Sequence, residues 1–377
     1  MKYIHIVQFH LMSGGGVGSV ITDLCEATAK ESKEVYVISL YRRKGIDYDL
    51  EIEWGKKHGI NVMLMQEDPQ MGSVGVLKRL RQTLKELAKE DKCCLYLHLK
   101  WGVLAGIVSS LGVSNIRRVE VYHSGYMNYK LQAFVSKPFL HHYLSVSKDA
   151  KQQLIEWFHV KENMITVAYN GVDLTHIRNL ASQSVTLDGA INFMSVGRLS
   201  FEKGFLTSIE AFGDLKEEGN LTDSSYTMIG KGEQMEESKE KAKGHVNFTG
   251  LIPRDSVYSN IAGCDVMVLP SWWEGNSILL LEVLAIGKAM IVSDIPSFRE
   301  VLDYKPLADD EVCRLEPFGA VFRAKDTESC KAAMRLIEAN KDKLGEMAGF
   351  VGSLADTFSI NNQVEIYKSV AERVFEK

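Results

Sequence analysis

Short runs rich in β-branched and aromatic residues alternate with helix-length amphipathic stretches along the whole chain. This rhythm is the tightest constraint on the fold. Strand, helix and strand in succession form the repeating unit of a parallel sheet, so the pattern selects an α/β class over a sandwich or a bundle. Strands are predicted over 3–9, 35–40, 60–65, 93–98, 117–122 and 164–168, with helices over 17–30, 73–90, 101–111 and 147–158. A polar, uneven stretch follows Asn170-Gly171-Val172-Asp173. The pattern restarts at Ile191, with strands over 191–196, 226–229, 246–249, 265–269 and 289–292. The expected architecture is two doubly wound, Rossmann-like domains facing across a deep cleft. The first spans 1–173, a linker 174–190, the second 191–355, and a last helix over 356–377 crosses back to the first domain. A length of 377 residues suits two domains of ordinary size.

The formal net charge is −5, unevenly spread. A cut after Asp173 leaves 22 basic and 18 acidic residues before it, and 22 and 31 after it, so the parts carry +4 and −9. The basic excess falls far short of a nucleic-acid binder, and no nucleic-acid partner is expected. Six cysteines without CxxC spacing read as buried thiols in a reducing compartment, with no zinc site. The opening apolar run is broken by His5, Gln8 and His10 and makes a poor signal peptide. No stretch of apolar residues is long enough to span a bilayer. A cytoplasmic protein is expected, with a peripheral place at the inner membrane face as an option. Over 73–92, Val76, Leu77, Leu80, Leu84 and Leu87 share one helical face, and Lys78, Arg79, Arg81, Lys85 and Lys89 decorate the others. Such a helix either covers a sheet or rests on anionic lipid.

Ligands of open α/β sheets sit beyond the carboxyl ends of the strands, so chemistry is sought there. After strand 3–9 the chain runs His10-Leu11-Met12-Ser13-Gly14-Gly15-Gly16-Val17-Gly18-Ser19 into a helix. Its backbone N–H groups suit a phosphate, and a turn needing positive φ is the plainer reading. The spacing departs from the G-x-G-x-x-G dinucleotide fingerprint. Strand 191–196 ends in Gly197-Arg198, with Lys203-Gly204 at the next helix start. A lysine there opposes the helix dipole, so an anion between Arg198 and Lys203 is expected, solvated surface cations being the alternative. The segment Pro270 to Glu282 runs from a strand end into a helix and carries Glu274 and Glu282 eight residues apart. On one helix these would lie on the order of 12 Å apart, too far for a glycosidase acid/base pair. They suit hydroxyls at opposite ends of a nucleotide-diphosphate sugar. Asn276 or Ser277 would cap the helix, and the N–H groups of Ile278 and Leu279 would face the diphosphate. His98 and His123 follow two strands of the first domain, each either meeting a substrate hydroxyl or resting as a satisfied core residue. His141-His142 and Asp47-Tyr48-Asp49 read as structural.

With these segments in order the chain resembles a retaining glycosyltransferase of family 4, the group-1 glycosyl transferases, over nearly its whole length. The similarity runs through Gly14-Gly15-Gly16, Val121-Tyr122-His123-Ser124, Ser145-Val146-Ser147 and Tyr169-Asn170-Gly171-Val172-Asp173. In the second half it runs through Val196-Gly197-Arg198-Leu199, Lys203-Gly204, Gly230-Lys231-Gly232, Phe248-Thr249-Gly250, Pro270-Ser271 and the Glu274 to Glu282 element. The resemblance implies the GT-B arrangement and sugar transfer without metal or cofactor, from a nucleotide-sugar donor, UDP-linked by preference. The acceptor it implies is a glycan or a lipid-linked molecule of cell-surface polysaccharide, lipopolysaccharide or glycolipid synthesis. It assigns the donor diphosphate to Arg198 and Lys203, the ribose to Glu282, and the transferred sugar or reacting centre to Glu274. Gly15 and Gly16 would close over the phosphates, His123 would face the donor sugar, His98 matches a less constant position, and Asn170 lies near the interdomain crossing. Where many members carry Glu-Gly-Phe-Gly this chain has Glu274-Gly275-Asn276-Ser277, which implies a differently shaped sugar pocket. The alternatives are a nucleotide-sugar-binding protein without turnover, a two-domain 2-epimerase, and an NADP-linked oxidoreductase suggested by Arg42-Arg43.

Overall fold

The computed structural model describes all residues except 12–14, 32–33, 44–46, 124–129, 183–190 and 377. Gly14, Ser124 and the end of the expected linker lie outside the described residues. Two compact units result, Met1–Gly171 with Ile360–Lys377, and Val172–Ser359.

In the first unit a seven-stranded parallel sheet runs in the order β3-β2-β1-β4-β5-β6-β7. The strands are β1 (Lys2–Val7), β2 (Val35–Ser39), β3 (Asn61–Leu64), β4 (Cys93–His98), β5 (Ile116–Tyr122), β6 (His142–Ser145) and β7 (Ile165–Val167). Between them lie α1 (Gly16–Glu31), α2 (Asp49–His58), α3 (Ser73–Glu90), α4 (Leu99–Ser110), α5 (Lys130–Ser136) and α6 (Lys148–Phe158). The inner strands are buried on both faces, as a sheet covered by helices requires. The apolar face of α3 goes into this core, with Val76, Leu80 and Leu84 wholly buried and Leu77 and Leu87 packed against it. The apolar residues that could have rested on lipid are thus taken up by the core.

The second unit opens with α7 (Leu174–Ala181) and builds on β8 (Asn192–Val196), α8 (Phe205–Glu217), β9 (Ser225–Ile229), α9 (Met235–Lys241), β10 (Val246–Gly250) and α10 (Arg254–Gly263). It continues through β11 (Val266–Leu269), α11 (Ile278–Ile286), β12 (Ala289–Ser293), α12 (Pro296–Leu302), β13 (Cys313–Glu316), β14 (Gly319–Phe322), α13 (Thr327–Glu338) and α14 (Leu344–Ser353). Its sheet order is β10-β9-β8-β11-β12-β14-β13, parallel except for the edge pair β13–β14. The segment 174–181, expected as linker, is helix: Asp173 Oδ1 accepts the His176 N–H at 3.0 Å and Ile177 is buried. Leu174, Ile177, Leu180 and Ala181 do recur at helical spacing, but over only eight residues, short of the length that separates a helix from a polar linker by pattern. β6 and the β13–β14 hairpin also escaped the sequence pattern, being four residues each.

The final helix, α15 (Ile360–Glu376), belongs to the first unit. Val364, Tyr367, Val370 and Val374 pack with Tyr3, Leu24, Tyr96 and Val119. Tyr96 donates to the Tyr367 carbonyl at 2.7 Å and Arg117 Nε to the Val374 carbonyl at 2.8 Å, satisfying an acceptor at the helix end. All six cysteines are free thiols, five of them buried.

Glu120 is a carboxyl buried in β5, and burial pushes its pKa from 4.5 to about 7. Its folded pKa exceeds its unfolded one, so between these values the folded state holds the extra proton and stability falls as pH rises. Glu120→Gln removes that slope. Urea midpoints at pH 5 and pH 8 should therefore show the variant gaining on its parent at the higher pH, whereas a constant difference would contradict the burial of an ionisable carboxyl.

Candidate donor site

Three backbone turns interlock at the carboxyl edge of the second sheet. Gly197, at φ 150°, donates to the Ile229 carbonyl at 2.9 Å, and Gly230, at φ 139°, donates to the Gly250 carbonyl at 2.9 Å. A Cβ on Gly230 would stand 1.8 Å from the Gly197 carbonyl oxygen, so only glycine lets the turns after β8 and β9 touch. Leu199 N–H reaches the Lys231 carbonyl at 3.1 Å and extends the lacing. This rigid edge presents Arg198, whose guanidinium is exposed and forms no hydrogen bond among the described residues.

Lys203 ends a 3-10 turn, Phe201–Lys203, just before α8. Gly204 (φ 62°) brings that turn against the segment after β11: a Cβ there would meet the Pro270 carbonyl oxygen at 2.1 Å. Trp272 N–H donates to the Glu202 carbonyl at 2.9 Å, and the Phe201 and Trp272 rings meet edge-on at 4.1 Å. The turn thus places the Lys203 ammonium on Glu274 Oε1 at 2.6 Å, and the same oxygen accepts from Ser271 Oγ at 2.8 Å. The countercharge expected from a bound anion is, in the free protein, the Glu274 carboxylate. An ammonium has three donors, so two remain for a ligand.

Glu274 does not lie on the helix with Glu282. α11 begins at Ile278, capped by Ser277, whose Oγ accepts from the Leu280 N–H at 3.5 Å. Helical rise therefore does not set the Glu274–Glu282 spacing. The N–H groups of Ile278 and Leu279 fall in the first turn, where helix donors lack intrahelical acceptors. Asn276 is buried beside them. Glu282, one turn further on, is buried, and its Oε1 accepts from Tyr258 at 3.0 Å with Arg254 Nη2 at 3.5 Å. Sequence reasoning named Ser271 within the Pro270 segment without a role for it, and missed Arg254 and Tyr258, since no spacing links α10 to these carboxylates.

In the first unit, Gly15 (φ 110°) and Gly16 lead exposed into α1. The loop is anchored ahead of them by a buried pair: His10 Nδ1 stands 3.1 Å from Glu51 Oε2, and Ser39 Oγ donates to the other Glu51 oxygen at 3.4 Å. Burial raises the Glu51 pKa to about 7 and lowers that of His10. His98 and His123 do come together, and a third imidazole joins them. His5 Nδ1 lies 3.0 Å from His98 Nε2, and His98 Nδ1 lies 2.9 Å from His123 Nε2. Burial lowers the His5 pKa to about 3 and that of His123 to about 4, and pushes His98 well below its ordinary value. The row is neutral at pH 7. Each neutral ring offers one donor and one acceptor, so both bonds run in the same direction and the proton position on His123 is tied to that on His5. A histidine among the apolar residues of β1, His5, was the available signal. Asn170 is buried after β7, next to Gly171, whose N–H donates to Gln363 Oε1 at 2.9 Å.

Comparison with known proteins places this geometry. The family model "Glycosyl transferases group 1" matches residues 178–349 and "Glycosyltransferase Family 4" matches 14–176, together most of the chain. The chain belongs to this family of glycosyltransferases. An uncharacterized glycosyltransferase of Methanocaldococcus jannaschii is 24% identical over 180 residues, 43% of this chain and 44% of that protein. UDP-Gal:alpha-D-GlcNAc-diphosphoundecaprenol alpha-1,3-galactosyltransferase of Escherichia coli is 28% identical over 163 residues, 40% of this chain and 42% of the relative. The matches thus span about two fifths of these curated relatives. Anabaena Alr3699/HepE, solved with UDP and glucose, aligns with a TM-score of 0.75 at 15% identity, covering 99% of this chain and 100% of that one. A Rickettsia africae glycosyltransferase aligns with a TM-score of 0.76 at 15% identity, covering 100% and 99%. These likenesses establish the GT-B fold of two Rossmann-like units.

The partly buried Lys203–Glu274 pair is expected to couple energetically by about 1 kcal/mol. A double-mutant cycle with Lys203→Met and Glu274→Gln, read by urea unfolding, checks this; additivity within about 0.3 kcal/mol would mean the two groups do not interact.

Proposed function

We propose that the chain is a retaining glycosyltransferase that moves a sugar from a UDP-linked donor to a glycan or lipid-linked acceptor in cell-surface polysaccharide, lipopolysaccharide or glycolipid assembly. The observation that carries this reading is the cationic edge of the second sheet, where Arg198 and Lys203 stand with the capped start of α11. Two positive side chains and free helix N–H groups suit a pyrophosphate. The name of the Escherichia coli relative, a galactosyltransferase using UDP-Gal and a diphosphoundecaprenol-linked acceptor, and the UDP held by Alr3699/HepE support the donor and acceptor classes.

In this reading Arg198, Lys203 and the Ile278 and Leu279 amides bear the charge that develops on the departing diphosphate, so the transfer needs no metal. The acceptor hydroxyl oxygen attacks the anomeric carbon from the face the diphosphate leaves. The bond from that carbon to the phosphate oxygen breaks, a bond to the acceptor oxygen forms, and the acceptor proton passes to the diphosphate. Configuration is retained without a carboxylate pair. Glu274 positions Lys203 and meets the sugar, Glu282 takes the ribose hydroxyls, Gly15 and Gly16 close over the phosphates, and neutral His123 bonds a sugar hydroxyl.

Release of nucleoside diphosphate from a panel of nucleotide sugars with candidate acceptors tests the proposal. Arg198→Ala and Lys203→Ala should each lower turnover at least about tenfold, the scale of a lost charge-assisted contact. Full activity in both variants would remove the site, and binding of UDP without turnover under any acceptor would leave a sugar-nucleotide-binding protein instead.

A further inference from the structure

Three adjacent strands of the first sheet, β1, β4 and β5, deliver one imidazole each: His5 from within β1, His98 from the end of β4 and His123 just after β5. His98 stands between the other two, its Nε2 3.0 Å from His5 Nδ1 and its Nδ1 2.9 Å from His123 Nε2. Burial keeps all three rings neutral at pH 7. Their protons therefore have only two arrangements. In one, every ring carries hydrogen on Nδ1, and His123 Nδ1 is a donor; in the other, every ring carries it on Nε2, and His123 Nδ1 is an acceptor. Both make the same two internal hydrogen bonds, so the ends of the row decide between them.

The two ends are unlike. His123 is partly exposed at the carboxyl edge of the sheet, where solvent meets a donor or an acceptor equally well. His5 is 1% exposed and lies beside Tyr96 and Tyr367, whose ring centroids are 5.0 and 6.4 Å from its own. The Tyr96 hydroxyl is spent on the Tyr367 carbonyl at 2.7 Å, and no hydrogen bond reaches His5 Nε2 among the described residues. Inside that core an N–H and a bare nitrogen differ in desolvation cost, so the buried end favours one arrangement and holds it. An apolar side chain would fill position 5 with no polar group to bury, so packing alone gives no reason for a histidine there.

We propose that His5 is a positioning residue: through His98 it fixes which nitrogen of His123 carries hydrogen, and thereby whether that ring gives or takes the hydrogen bond to a sugar hydroxyl. A hydroxyl can do either, so a ring of fixed character orients it. The bond to the sugar rests on the transfer reaction proposed above, whereas the coupling along the row does not. His5 acts two rings back from the ligand.

Side-chain nitrogen-15 spectra of the full chain, recorded at pH 7 without substrate, test the coupling. His5, His98 and His123 should share one arrangement, all with hydrogen on Nδ1 or all on Nε2. His5→Phe should shift the His123 signals to the other form or to an average of both. In the transfer assay the same variant should lower kcat/KM for the donor about five- to tenfold, the worth of one neutral hydrogen bond. Val370→Ala, which trims the core around Tyr96 and Tyr367 and removes no hydrogen bond, should lower the thermal midpoint yet leave the spectra and turnover as they were. Mixed arrangements in the parent, His123 signals unmoved by His5→Phe, turnover unmoved while they shift, or equal loss with Val370→Ala would each overturn the proposal. Absence of transfer from every nucleotide sugar would end the transfer reading alone, and the spectra would still decide the coupling.

Discussion

The contact on which the donor edge depends is backbone against backbone. With Gly230 over the Gly197 carbonyl, the turns after β8 and β9 approach closer than any side chain permits. A larger residue at Gly230 would push them apart and carry Arg198 with them. Gly204 performs the same service between the start of α8 and the segment after β11. The chemistry of the edge thus rests on three residues without side chains, and the groups that bear charge are held by neighbours that bear none.

Both units hold ionisable groups where water is scarce, in different ways. In the second, opposite charges meet: Lys203 with Glu274, and Glu282 with Arg254 and the Tyr258 hydroxyl. Each of these carboxylates thus already has a cation beside it at the edge where an anion would sit. In the first, burial keeps groups neutral: the His5–His98–His123 row stays unprotonated and Glu120 is drawn toward protonation. A row of neutral imidazoles can orient a hydroxyl without attracting an anion.

The α/β rhythm was legible because long, doubly buried strands leave continuous apolar runs, and the glycine turns because their spacing after strands is local. Four-residue strands such as β6 leave too little pattern to detect, and the helical period of α7 runs over only eight residues. Arg198, Lys203, Glu274 and Glu282 could be read as a group from motif order, but not their pairing. Placing Glu274 on a helix with Glu282 failed because the Ser277 cap starts α11 four residues later than a continuous helix would. Glu51 and Tyr258 were invisible for one reason: each acts through a partner brought near by sheet register or helix packing, at a sequence separation no motif spans.

The central claim is that a nucleoside diphosphate is gripped by the carboxyl edge of the second sheet. Amide hydrogen exchange of the chain with and without UDP measures this directly, because ligand contact slows local opening at the residues that hold it. Slower exchange is expected in segments 197–204 and 271–282. Protection confined to the first unit, or none at saturating UDP, would contradict the account.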